Sequence, residues 1–334
     1  MRIIMLMLLL LSGCLQEEGA RPEAWEELFE ETPLPPVEEQ VEKPPSKTLS
    51  LKVLWNFTTG DKVYGVALSD ANRAAVGSLD GHVYLLDRDG KLLWRFKARG
   101  GVHDVAMSSP VGYVAALSYV YDETTVHLLD KNGRELWSLA VPKLSRGVDV
   151  SASGEVAVAS STGKIYLINK SIRWTYNLEE SVWGAWDVVF AGDRVIAVDD
   201  NADIYYLSMD GSLLGKTRVA EKDYIYGVAA APGGYVAVVT QNKSVYLYRD
   251  GKLLWKRKTD FSNYGVAISP GSEFVAAGSW DKNLYIYDIS GKLLLKHHVG
   301  DSVNRVAFSE GHLIYGSGDG SAYLAEVILE AQMR

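Results

Sequence analysis

VYGVALS at residues 63–69 returns as VHDVAMS (102–108), SRGVDVS (145–151), AWDVVFA (185–191), IYGVAAA (225–231), NYGVAIS (263–269) and VNRVAFS (303–309). The central valines of these copies, Val66, Val105, Val148, Val188, Val228, Val266 and Val306, stand 39, 43, 40, 40, 38 and 40 residues apart. A period near forty, kept over seven copies, marks a repeat architecture. Each copy is then one supersecondary unit that buries its apolar face only against its neighbours.

Working outward from the valine run, each repeat divides into four short strand-like runs. The second is small and apolar, as in RAAVGS (73–78), YVAALS (113–118), EVAVAS (155–160) and FVAAGS (274–279). The third alternates around a central column of Tyr84, His127, Tyr166, Tyr205, Tyr246, Tyr285 and Tyr323. The fourth carries a tryptophan in KLLWRF (91–96), RELWSL (134–139), SIRWTY (171–176) and KLLWKR (252–257). Between the third and fourth runs lie Asp89-Gly90, Asn132-Gly133, Asp210-Gly211 and Asp250-Gly251. These dipeptides accept the positive φ of tight hairpin turns, so the runs pair antiparallel. Four antiparallel strands per unit, with no helical period in the repeats, is the blade of a propeller. The sequence therefore predicts an all-β, seven-bladed β-propeller of four-stranded antiparallel blades.

The ring closure is also legible. The last repeat has three runs (303–309, 312–317 and 321–327) and lacks its fourth. The missing run is KVLWNF at 52–57, whose Trp55 precedes Val66 by the same eleven residues that separate Trp94 from Val105 and Trp255 from Val266. Residues 51–57 are thus predicted to complete the last blade and close the circle, which removes the open sheet edges that invite aggregation. The tryptophans at 55, 94, 137, 174 and 255 share one blade position and are expected to pack between blades, with Leu295 and Gly215 in the remaining places.

The run from Gly278 to Asp288, GSWDKNLYIYD, resembles a WD repeat. Leu-Leu-Asp-x-x-Gly-x-x-Leu-Trp at 85–94 and 128–137 resembles the repeats of quinoprotein-type propellers. The two resemblances together span residues 51–327 and imply the propeller fold. They imply little about activity, because propellers host many unrelated roles.

The chain opens MRIIMLMLLLLSGC: Arg2, then an apolar run from Ile3 to Leu11, then small residues, the layout of an export signal. As a helix that run is about 13 Å long at ~1.5 Å per residue, well short of a bilayer core of ~30 Å. Leu11-Ser12-Gly13-Cys14 resembles the lipobox of prokaryotic lipoproteins, which implies cleavage before Cys14 and lipid on its sulfur. Cys14 is the single cysteine of the chain, so no intrachain disulfide can form. Residues 14–50 follow as an acidic linker: residues 15–50 hold ten Glu against three Lys or Arg, with prolines at 22, 33, 35, 36, 44 and 45. Such a composition stays extended. Trp25, Leu28 and Phe29 share one helical face within it, read as a helical turn in a tether, with a docking helix as the alternative. The expected organisation is a signal peptide (1–13), an anchored linker (14–50) and a propeller (51–334). The expected location is outside the cytoplasm, lipid-anchored to the outer side of the cell membrane or to an outer membrane. In plan this is similar to the propeller lipoprotein of the outer-membrane barrel-assembly machinery.

Of the formal charge of −8, the linker carries most, and residues 51–334 come to −2. No basic stripe is present, which argues against nucleic acid as a partner. The histidines (82, 103, 127, 297, 298 and 312) do not fall at metal-ligand spacing, and His297 and His298 point to opposite faces of a strand. Asp199-Asp200-Asn201-Ala202-Asp203 lacks the glycine and terminal Glu of a calcium loop and reads as a turn. His127 reads as a packed or turn-satisfied residue. No cofactor and no metal are expected. An exported enzyme, quinone-dependent or hydrolytic, is the alternative; the quinone dehydrogenases resembled by these repeats generally have eight blades and often adjacent cysteines, which this chain lacks.

A ring of residues carries the functional expectation. Two positions before each central valine stand Tyr64, His103, Arg146, Trp186, Tyr226, Tyr264 and Asn304, expected around one mouth of the central channel. Tyr119, Tyr121, Trp183, Tyr224, Phe261 and Trp280 fall in connections expected on the same face. Trp, Tyr and Arg are the side chains that dominate interface energetics. The sequence thus predicts a binding or scaffold protein that presents an aromatic mouth to a protein, peptide or glycan, with the membrane held through Cys14.

Overall fold

The second strands are rich in alanine, valine and glycine, side chains small enough to sit between neighbouring blades. A computed structural model describes residues 47–331, apart from 111, 122, 143, 179, 180, 182, 221 and 222. Among the described residues there are twenty-eight strands and no helix. They form seven four-stranded antiparallel sheets, each taking its strands in chain order but one. Numbered along the chain, the blades begin with inner strands Val63–Leu68, Gly101–Met107, Ser145–Val150, Ala185–Ala191, Ile225–Ala231, Asn263–Ile268 and Val303–Ser309. Each inner strand packs on the next, and the seventh packs on the first, so the sheets form a closed ring.

The exception in strand order is the closure. The outer strand of blade 7 is Lys47–Thr58, paired antiparallel with Ser321–Ala331 from Lys47↔Ala331 to Thr58↔Ser321. It is longer than the 51–57 expected from sequence. The Cys14 and Trp25–Phe29 expectations lie outside the described residues.

Burial follows the alternation. Second strands such as Ala74–Ser78 and Val156–Ser160 are buried along their whole length, sandwiched between neighbouring blades. Fourth strands such as Leu92–Lys97 alternate exposed and half-buried residues, as one-sided edges should. The column tryptophans pack between blades. Trp55, Trp94, Trp174 and Trp255 each donate their indole N–H to a carbonyl in the outer turn of the following blade, those of Arg88, Lys131, Met209 and Ile289, at 2.9–3.0 Å.

The tyrosine column is tied down too. Tyr84, Tyr205, Tyr285 and Tyr323 donate their hydroxyls to Asp80, Asp199, Asp281 and Asp319, at 2.6–3.0 Å. Each of these aspartates also holds its own turn through backbone amides, as Asp199 does with Asn201 and Asp203. That turn chemistry accounts for the acidic run at 199–203. His127 stands in the same column, buried, with Nε2 2.9 Å from Ser118 Oγ and Nδ1 2.8 Å from Glu135 Oε1.

Candidate functional site

The first and second strands of every blade lose register at one place. The slip falls between Val63 and Gly65, Val102 and Asp104, Ser145 and Gly147, Ala185 and Asp187, Ile225 and Gly227, Asn263 and Gly265, and Val303 and Arg305. The skipped residues are Tyr64, His103, Arg146, Trp186, Tyr226, Tyr264 and Asn304. All seven members of the expected ring are therefore β-bulge residues. A bulge leaves its residue without a ladder partner and re-aims its side chain.

All seven line one cavity of about 200 Å³ at the channel mouth, together with Tyr119, Leu144 and Arg305. Arg146 stacks over the Trp186 ring, its Cζ 3.7 Å from the centroid. Trp186 meets Tyr226 at 4.4 Å, and Tyr226 stacks on Tyr264 at 4.5 Å. Tyr264 lies face to face with Trp280 at 4.3 Å and 4°. On the other side, His103 sits 5.6 Å from Tyr64 and 4.1 Å from Tyr119. The result is two aromatic arcs facing one space.

The electrostatics of the mouth favour acceptors on whatever enters it. Among the described residues its lining includes two arginines and no carboxylate. Burial pushes the phenols of Tyr119, Tyr226 and Tyr264 up, so they remain protonated donors. Burial also lowers His103 to about 4, which keeps its imidazole neutral. Among the described residues, no hydrogen-bond partner reaches the buried Trp186 Nε1–H. Such a donor costs about 1–3 kcal/mol while unmet.

Not every expected residue serves the mouth equally. Asn304 is 5% exposed and donates its amide to the Val63 carbonyl at 2.9 Å, which ties blade 7 to blade 1. Trp183 and Trp280 do not line the cavity; they stand at its rim, 57% and 40% exposed. Arg146 donates to the Trp183 carbonyl at 3.1 Å, which holds its guanidinium over Trp186. Tyr121 is 98% exposed and Phe261 48% exposed, and neither lines the cavity.

Directly beneath lies a polar plug, one residue further along each inner strand than the ring. The residues just before the central valines are Gly65, Asp104, Gly147, Asp187, Gly227, Gly265 and Arg305. Arg305 reaches across the channel to Asp104 (2.9 Å) and Asp187 (2.7 Å). Those aspartates accept the amides of Val148 and Val228 from the following blades, both at 3.0 Å. The glycines leave the room: a methyl carbon at Gly147 would stand 2.6 Å from the Asp187 Cα, and one at Gly265 2.7 Å from the Arg305 Cα. The signal was available as a column of glycines broken by two acids and one arginine. Asp149, in the same half of the channel, accepts the amides of Val150 and Phe190. Burial raises both Asp104 and Asp149 to about 7. Among the described residues no group of three or more His, Cys, Asp or Glu is placed to hold a metal ion.

Ring, blades and repeat types define the class: the chain is a seven-bladed β-propeller whose repeats are of two kinds. Residues 122–214 match the family described as outer membrane protein assembly factor BamB, and residues 263–288 match the WD domain, G-beta repeat. Among curated proteins it is similar to an outer membrane protein assembly factor BamB of Bordetella pertussis, 30% identical over 134 residues. It is also similar to a serine-threonine kinase receptor-associated protein of Bos taurus, 26% identical over 217 residues. These matches cover 38% and 59% of this chain, and 34% and 59% of the relatives' own lengths.

Proposed function

We propose that this chain is an exported, lipid-anchored propeller that holds a segment of a protein partner at the aromatic channel mouth and performs no chemistry of its own. The observation that carries the reading is the set of seven bulges, one per blade, each turning a hydrogen-bonding side chain toward the same space. A bulge repeated for stability alone has no need of Tyr, Trp and Arg at the bulged position. The occupant this lining suits is a polypeptide that brings carbonyl or carboxylate acceptors together with apolar surface. It would meet the Arg146 guanidinium and the tyrosine hydroxyls, and cover the stacked rings.

Two further observations support the setting. The lipobox-like segment ending at Cys14 provides an anchor, and the acidic linker after it provides reach. One relative is named as an outer-membrane assembly factor and the other as a receptor-associated protein; neither name is that of an enzyme.

The test is affinity capture from native membranes with two full-length baits. One is wild type; the other carries Tyr64→Ala, Trp186→Ala, Tyr226→Ala and Tyr264→Ala, with its fold checked by thermal melting. A protein retained by the first and lost by the second supports the reading. Equal retention by both moves the partner off the mouth, and retention of a glycan alone replaces the protein partner with a sugar.

A further inference from the structure

The tryptophan column has one gap. In the fourth strands of blades 7, 1, 2, 3 and 5 the column is Trp55, Trp94, Trp137, Trp174 and Trp255, and in blade 6 it is Leu295; in blade 4 it is Gly215. Four of these five tryptophans cover the outer turn of the next blade closely with their rings. A methyl carbon at Gly90, Gly133, Gly211 or Gly291 would lie 2.6–2.9 Å from the ring of Trp55, Trp94, Trp174 or Trp255. At Gly251 of blade 5, in a tighter turn where Arg249 pairs with Lys252, the nearest atom is Thr217 Oγ1 at 3.6 Å, and at Gly215 it is Tyr206 Cδ2 at 4.0 Å.

The gap forms part of a cavity of about 750 Å³, lined by both Gly215 and Gly251. Phe190, Tyr206, Pro232 and Tyr235 supply much of its apolar wall. It opens where the inner strands end, on the face away from the aromatic mouth, and so is independent of the function proposed above. Tyr206 pairs with Gly215 at the position held by leucine in the tryptophan-bearing blades, as in Leu85↔Trp94 and Leu247↔Trp255. Its ring takes part of the missing volume and leaves the rest open.

We propose that the slot between blades 4 and 5 is a binding site for an indole ring, which takes the place that a column tryptophan fills elsewhere in the same ring. The protein supplies the template itself. Four of its own indoles lie against the following turn with the N–H on a turn carbonyl. An indole brings a large apolar area to such a gap, with an N–H that usually finds an acceptor when buried.

The test uses the full-length protein with two probes, free indole and N-acetyl-tryptophanamide, by titration calorimetry. Two variants fill the slot. Tyr206→Leu with Gly215→Trp rebuilds the leucine–tryptophan pair of blade 1, and Gly215→Leu copies the side chain native to blade 6. Wild type is expected to bind at one site, and both variants to bind about tenfold more weakly or worse, with melting temperatures at or above wild type. Binding of N-acetyl-tryptophanamide identifies the source as a tryptophan in a polypeptide; binding of indole alone identifies a small molecule. No binding of either probe, undiminished binding in the filled variants, or a lower melting temperature for both variants overturns the proposal.

Discussion

Asp149 is the sharpest test of the channel reading. Arg305 is committed to Asp104 and Asp187, and among the described residues Asp149 has no ion pair. Its carboxyl is held by two backbone amides, those of Val150 at 2.8 Å and Phe190 at 2.7 Å. Burial outweighs both bonds, and the negative charge of Asp187 adds to it, so the group titrates at about 7 in the fold against 3.8 in the open chain. Between those values the folded protein keeps a proton that the unfolded chain has released. Stability therefore falls as pH rises, by about 1.4 kcal/mol per pH unit for this one group, and levels off above its folded value. From pH 5 to pH 8 the loss comes to about 2–3 kcal/mol. Asp149→Asn removes the titration. At pH 5 the variant should be about 1 kcal/mol less stable, because an amide nitrogen cannot accept the backbone N–H that the acid's second oxygen accepts. At pH 8 it should be more stable than wild type. Urea unfolding of both proteins at the two pH values gives the difference directly. A wild-type-to-variant difference that is the same at pH 5 and pH 8 would refute the argument, since Asp149 would then be in one charge state throughout.

Three other outcomes follow from the same packing. Arg305→Met leaves Asp104 and Asp187 facing each other in the plug without their cation, and should cost about 3–5 kcal/mol in urea unfolding near neutral pH, with a smaller deficit in acid, where Asp104 is protonated. Gly265→Ala places a methyl 2.7 Å from the Arg305 Cα, so blades 6 and 7 must part; the expected loss is about 1–3 kcal/mol, read by thermal melting. Trp94→Phe keeps most of the ring but drops the N–H bond to the Lys131 carbonyl, and should cost about 0.5–1.5 kcal/mol while leaving partner capture unchanged.

Much of this molecule is written in one dimension. The forty-residue period, the Asp-Gly and Asn-Gly turns, and the tryptophan displaced to residue 55 are enough to give the blade number, the strand pairing and the way the ring closes. They suffice because a blade is a local object, four strands joined by short turns, and its repeats report themselves. The ring of seven side chains was legible for the same reason: it holds one fixed offset from a repeated valine.

What the sequence could not decide depends on blades meeting one another. That each ring residue occupies a bulge is a property of the pairing between two strands, and no single strand shows it. Asn304 looks like its six counterparts by offset, yet its amide is spent on the Val63 carbonyl, a partner 241 residues away that ring closure alone brings near. Asp104, Asp187 and Arg305 come from blades 2, 4 and 7, and they meet only because the channel axis is shared. Gly215 in the sequence is one departure from a tryptophan column; that it borders a cavity is decided by blade 5 not moving in to fill the place of the missing indole. Local patterns determine each blade, whereas the contents of the channel and of the gaps between blades are set by closing the circle.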